Sequence, residues 1–417
     1  MEKFDVMVLG AGMVGLGTAL HLRALGCKVV LVDRRGAAEE TSYGNSGLIQ
    51  AEAVMPYTFP RDLNVILGVL TGKRTDARIA WRSLAKTMPW IVRYALKGGP
   101  HEALKTAKAN VPLVSRAVEE HRALSERADA LTYWTAGGYL RIYNDPKAME
   151  AAAAEDTHIQ NLFGIPFNVW DREKLTAHEP HLGGDLVGAI HLPTPARIDD
   201  PGGLGKAYAK LFEAEGGAFR IGDANTLAAQ GGGFVVDGAN GPLHADQAVN
   251  CLGPWAGDQL KRFGVRVPLG VKRGYHRHYK AQGNSVLNQL IVEPEAGYVL
   301  APQRRGIRLT TGAEFARRDD PPTPRQLERL EGVARALFPL AEPVEAEPWL
   351  GSRPCYPDLL PAIGPIPGVP GLWGNTGHHH LGFTLGPLTG RLLAQIVMKE
   401  DPLIDPYPYR YERFFGG

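Results

Sequence analysis

Phe4-Asp5-Val6-Met7-Val8-Leu9 is a mostly apolar run with β-branched members near the start of the chain. Glycines 10, 12 and 15 follow, and then LGTALHLRALG, whose apolar positions recur with a helical period. A second apolar run, Lys28-Val29-Val30-Leu31-Val32-Asp33, ends in an acid. The pattern predicts strand, glycine turn, helix and buried strand over residues 4–33. Further on, residues 101–130 and 147–163 read as helical, and 137–143 alternates like a strand. Asp200-Pro201 is a turn that starts a helix ending at Gly216. From 218 to 257 short runs are divided by GGG and NG turns, which predicts antiparallel sheet, and 265–315 reads as more sheet. A helix is expected at 325–338, a short strand at GLWGN, and a last helix from about Pro387.

The glycine turn carries chemistry. Gly10 allows the tight turn, Gly12 lets the backbone approach a pyrophosphate, and Gly15 lets helix and strand pack closely. The helix start offers N–H groups and a positive dipole end to phosphates. Asp33 lies 18 residues beyond Gly15 (33 − 15), near the spacing at which an acid accepts hydrogen bonds from ribose. These features suit NAD or FAD. Residues 39–50, EETSYGNSGLIQ, are rich in small hydroxyl, amide and glycine residues. Such a stretch wraps a phosphate–ribityl chain or forms a plain surface loop.

Together GxGxxG, the terminal acid and the S-x-x-N-x-G loop resemble the FAD-dependent D-amino-acid oxidase superfamily. TSYGNSGLI is most similar to its bacterial D-amino-acid dehydrogenase (small subunit type) branch. The resemblance implies non-covalent FAD, held by Gly10, Gly12, Met13, Val14, Gly15, Asp33, Arg34, Arg35, Thr41, Ser42, Asn45, Ser46, Gly47, Leu48 and Ala224. Ala248–Gly253 resembles the late strand beside FAD, bringing Gly253 and Trp255 to the cofactor. TGHHHLGFT resembles the last cofactor-binding segment, with Gly377, His378, Leu381, Gly382 and Thr384 touching FAD. A helix start there would stabilise negative charge on the flavin pyrimidine ring. His380 falls where some relatives carry a substrate-binding arginine.

GSRPCYPDLLPAIGP resembles the G-x-R-P…D-x-x-P-x-I-G signature, which implies that Arg353 binds a substrate carboxylate. A planar guanidinium suits that task, because it pairs bidentately and fixes orientation. KRGYH resembles a K-G-Y segment, so Tyr275 and Tyr298 are candidates to face the substrate, or are ordinary strand aromatics. His276 and His278 share one strand face, and 378–380 are consecutive histidines, yet neither group has a further ligand at a recognisable spacing. No metal is expected. Cys251 reads as core, and the region of Cys355 is where some relatives carry a flavin-linked cysteine.

Composition narrows the setting. The 417 residues suit two domains with full cores. A formal charge of +2 does not ask for nucleic acid. Three distant cysteines form neither a disulfide framework nor a metal pair. Neither a signal peptide nor a spanning run of about 18 apolar residues is evident, so a cytoplasmic location is expected. Residues 61–97 carry eight basic residues against two acids, with tryptophans and a tyrosine between them. They read as helices with a solvated basic face, or as a patch lying peripherally on the inner face of an anionic membrane.

The expected fold is α/β: a Rossmann-like FAD-binding domain interleaved with an antiparallel-sheet (α+β) substrate domain, of D-amino-acid oxidase type. The FAD domain takes 1–78, 145–217 and 336–417, and the substrate domain 79–144 and 218–335. The expected activity is oxidative deamination of D-amino acids to 2-oxo acids by hydride transfer from Cα to flavin N5. Electrons pass to a quinone of a respiratory chain, or to another acceptor, oxygen among the candidates. Glycine, sarcosine or a D-(hydroxy)proline-type amine is the alternative substrate, and a flavin electron-transfer subunit of a complex the alternative role.

Overall fold

The computed structural model describes residues 3–415. Strand β1 (Lys3–Leu9) leads through the glycine turn into helix α1 (Met13–Ala24) and strand β2 (Val29–Asp33). β1 and β2 pair in parallel and are almost wholly buried, which is why both read as near-continuous apolar runs. The strands Ala218–Gln230, Gly241–Asn250 and Leu372–Thr376 extend this parallel core in a seven-stranded sheet. Ligand crevices lie at the C-terminal ends of such strands, where Gly10, Asp33 and Cys251 stand.

α1 packs along the C-terminal helix Gly382–Met398 through glycines. A Cβ on Gly17 would lie 2.6 Å from the Gly386 carbonyl oxygen, and one on Gly390 would overlap the backbone of Gly17. This last helix begins five residues before Pro387, where a proline reading alone would start it. Proline has no N–H to give the carbonyl four residues back. That carbonyl, of Phe383, is satisfied by buried His121 at 2.8 Å instead. Residues 379–398 are long and apolar enough to cross a bilayer, but 72% of the stretch is buried inside the protein. The apolarity belongs to a core helix.

The second sheet has eleven strands. Its centre is β3 (Gly270–Ala281), paired antiparallel with β4 (Trp349–Cys355) and with Gly306–Thr311. Helices α2 (Leu63–Leu70) and α3 (Leu84–Leu96) stand at its edge beside the cavity. A small third sheet ties Leu48–Ile49 to Ala196–Ile198 and Trp134–Thr135.

The expected boundaries need correction in several places; residues 340–343 and 349–355, expected in the cofactor half, pair with β3 in the second sheet. Residues 218–250, expected in the substrate half, belong to the cofactor sheet: Phe219 pairs with Leu31 and Val249 with Val8. Residues 168–171 and 188–192, expected in the cofactor half, pair into the second sheet. Hairpin turns reveal which strands are neighbours, but not which sheet the hairpin joins. The helix from Asp200 is as expected, Pro201–Ala214, capped by the Asp200 carboxylate on the Gly203 N–H.

Candidate active site

One cavity of about 910 Å³ runs from the glycine turn to Arg353. At its first end Gly10 has φ +99°, a conformation that favours glycine. A Cβ on Gly15 would overlap the Gly10 carbonyl oxygen, so the helix can approach the turn only because residue 15 is glycine. Gly12 caps α1 without a side chain, and Gly12, Met13 and Val14 line the cavity. The Ala11 N–H donates to Asp33 Oδ2 at 2.7 Å and the Arg35 N–H to Oδ1 at 3.0 Å. Burial nevertheless raises the Asp33 carboxyl above its ordinary range. Arg34 lies 4.3 Å over the Trp255 ring and pairs with Glu40.

The loop from Thr41 to Ser46 forms one wall. Ser42 Oγ accepts from the Met13 N–H at 2.9 Å, and Asn45 Oδ1 from the Gly47 N–H at 2.8 Å. Buried Arg308 donates to the carbonyls of Tyr43 and Asn45, with its Nε on His278 Nε2, whose Nδ1 meets Glu345 at 2.8 Å. His276 stacks on Trp349 at 4.7 Å. The alternating histidines therefore brace the loop and the strand. Thr384 Oγ1 bridges Leu48 and Gln50, tying the loop to the last helix.

At the other end Arg353 projects from β4. Its Nη1 donates to the Gly312 carbonyl at 2.8 Å and its Nη2 to that of Thr311 at 3.2 Å. It forms no ion pair among the described residues, and burial works against its charge. Of five guanidinium N–H donors, two are occupied. An unpaired, desolvated guanidinium fixed by backbone carbonyls and facing a cavity is prepared for an anion. Gly274 makes the room, since a Cβ there would lie 2.5 Å from Arg353 Nη2. Gly274→Ala is expected to raise the substrate KM about tenfold by displacing the guanidinium, with flavin content unchanged. Steady-state kinetics with the visible spectrum as control checks this.

The histidine run closes the cavity between the two ends. His378 Nε2 meets Thr389 Oγ1 at 3.0 Å, and the Nδ1 atoms of His379 and His380 meet at 3.0 Å. The Nε2 atoms of His379 and His380 are buried without a partner. Burial holds His378 and His380 down at about 3, and His379 well below its ordinary value, so all three are neutral at physiological pH.

Every feature an FAD molecule needs is in place: glycine cradle, ribose acid, small-residue loop, uncapped helix start and buried polar atoms awaiting partners. Residues 5–396 match the family described as FAD dependent oxidoreductase. The chain belongs to this family. FAD is its cofactor and amino acids are its donors. It is 27% identical over 421 residues to a D-amino-acid oxidase of Bradyrhizobium diazoefficiens, covering 99% of both chains. It is 29% identical over 433 residues to a D-amino acid dehydrogenase 2 of Ralstonia nicotianae, covering 98% of this chain and 100% of that one. Its fold matches glycine oxidase from Geobacillus kaustophilus with a TM-score of 0.77 at 20% identity over the whole of both chains.

Of the expected FAD residues in this family member, Gly10, Gly12, Met13, Val14, Asp33, Arg34, Thr41, Ser42, Asn45, Ser46, Leu48, Ala224, Gly253, Trp255, His378 and Gly382 line the cavity. Gly15, Gly47, Gly377, Leu381 and Thr384 stand behind that wall, whereas the Arg35 side chain is exposed at the surface and pairs with Glu40. Arg353, Tyr298 and His380 also line the cavity. Tyr275 borders the cavity, but its hydroxyl is committed to Glu314, Arg273 and the Thr323 N–H. Strand alternation explains this: Lys272, Gly274 and His276 share the Arg353 side of β3, whereas Arg273 and Tyr275 point the other way. Lys272 lies in the KRGYH segment but is not singled out there, and no motif marks Arg308. Counting alternate positions outward from Gly274 finds the first, and nothing local finds the second.

Proposed function

We propose that this protein oxidises a D-amino acid to the imino acid, which water converts to a 2-oxo acid and ammonia. Arg353 carries the reading: a guanidinium with no carboxylate partner among the described residues, in a cavity continuous with the dinucleotide cradle. It holds the substrate carboxylate and so sets the position of Cα. Tyr298, buried at the cavity wall, and His380, with its free Nε2, orient the amine end. In this buried cavity desolvation disfavours the ammonium form, so its proton passes to water, after which the nitrogen lone pair assists as the Cα hydrogen departs. FAD supplies the two-electron acceptor. It is held non-covalently, since Cys355 lies outside the cavity wall among Tyr94 and Leu359 and burial raises its thiol.

We place the second acceptor, a quinone, at the lipid phase. Exposed Leu63, Leu67, Trp81, Met88, Val92 and Leu96 stand among exposed Arg61, Lys73, Arg82, Lys86, Arg93 and Lys97 on and around α2 and α3, a composition suited to an anionic bilayer surface. The inner side of α2 (Val65, Ile66, Val69, Leu70) lines the same cavity. With a soluble quinone analogue as acceptor, D-amino acids are expected to yield 2-oxo acid, trapped as its hydrazone, and L-enantiomers none. Equal turnover of both enantiomers would overturn the stereochemical assignment.

A further inference from the structure

Arg353 has a neighbour that the proposed reaction does not use. Lys272 on β3 is the cross-strand partner of Arg353 on β4, so both side chains rise from the same face. Both line the cavity. The Lys272 Nζ stands 3.9 Å from the centroid of Tyr94, with Trp90 and Phe315 at 5.9 and 5.8 Å. Like charges directly opposite on adjacent strands repel, and no acid separates these two. The acids on the cavity wall are engaged elsewhere: Asp33 by backbone N–H groups, Glu40 by Arg34, Asp76 by Arg74, Asp223 by Asn225 and Glu293 by the turn it caps. Cys355 is the opposite-charge candidate nearest both, and burial keeps it a neutral thiol. Among the described residues, the substrate end therefore holds two desolvated cations with no protein counter-charge. An ordinary amino acid brings one carboxylate and spends it on Arg353.

We infer that Lys272 binds a second carboxylate, and that the preferred substrates are amino acids with an acidic side chain. This rests on the proposed amino-acid oxidation and names its substrate class. The aromatic recess holds the ammonium apart from the guanidinium, so two carboxylates on one short chain can each meet their own cation. Burial brings the Lys272 ammonium down to about 8 in the free protein, and a bound carboxylate raises it again. The groups facing it are Tyr94 and Trp90 of α3, Phe315, Arg353 and Cys355 of β4, and His379 and His380. The tyrosine and thiol are raised and the histidines lowered, leaving Lys272 to titrate in the alkaline range. The preference for two carboxylates is fullest below about pH 8 and fades above it.

The oxidised holoprotein can be titrated with acetate, propionate, malonate, succinate and glutarate, following the flavin absorption band. At least one dicarboxylate is expected to bind about tenfold or more tightly than the monocarboxylates. Lys272→Met is expected to remove that advantage while changing monocarboxylate binding far less, and Lys272→Arg to keep most of it. A wild-type protein without the preference, or a Lys272→Met variant that retains it, overturns the inference. If no carboxylate perturbs the flavin, or if Arg353→Ala binds acetate normally, the amino-acid reading itself fails and the inference falls with it.

Discussion

Arg353→Ala is expected to give a yellow, folded protein whose kcat/KM for amino acids has fallen by about thirtyfold to several thousandfold. That corresponds to about 2–5 kcal/mol, the cost of removing one member of a buried charge pair. The loss falls on binding and chemistry together, because the same contact retains the substrate and sets the position of Cα. Stability should not suffer. In the free protein Arg353 is a desolvated cation with only two backbone carbonyls in return, so its removal relieves a charge as well as breaking two hydrogen bonds. Flavin content, thermal midpoint and steady-state kinetics measured together check the prediction. A colourless variant would make Arg353 structural, and unchanged kinetics would remove it from the site.

Gly15→Ala is expected to do the reverse, sparing every substrate contact while abolishing cofactor binding. The added Cβ is fixed to the backbone of α1 and overlaps the carbonyl oxygen of Gly10, a backbone atom of the turn that leaves β1. Neither can move aside as a flexible side chain would. Overpacking ordinarily costs about 1–3 kcal/mol, and a backbone clash lies at or beyond the upper end. The expected product is a colourless protein with its thermal midpoint lowered by about 3 °C or more. Gly332→Ala is the matched control: it lies exposed in the helix Arg325–Leu337 with nothing within 4 Å of the added carbon, and should be neutral or slightly stabilising.

The two variants also mark what was legible in the sequence. The cofactor end was readable because its chemistry is local. Gly10, Gly12, Gly15 and Asp33 lie within one strand–helix–strand unit, and each residue type answers a local need for a turn, a close approach or an acceptor. Arg353 stood out through its proline- and glycine-rich surroundings and the family resemblance they carry, and the structure brings it to the cavity wall. Tyr275 was a less fortunate choice, because naming an aromatic on a strand does not say which face it takes. The pairing of β3 with β4 decides that, and it brings Lys272 beside Arg353 across 81 residues of chain (353 − 272). Arg308 is further out of reach, since its task is to hold the backbone of a loop about 260 residues away. The domain boundaries failed for the same reason: residues 218–250 show their hairpins plainly, but their partners β1 and β2 lie about 190 to 240 residues earlier, at the start of the described chain.

Anaerobic reduction of the bound flavin tests the central claim most directly. The purified holoprotein is mixed under argon with single D-amino acids, their L-enantiomers, glycine and sarcosine, and the flavin absorption band is followed. Bleaching by D-amino acids, and not by the L-enantiomers, is the predicted result. A flavin that stays oxidised with every D-amino acid, or that is bleached by glycine or sarcosine alone, would contradict the account.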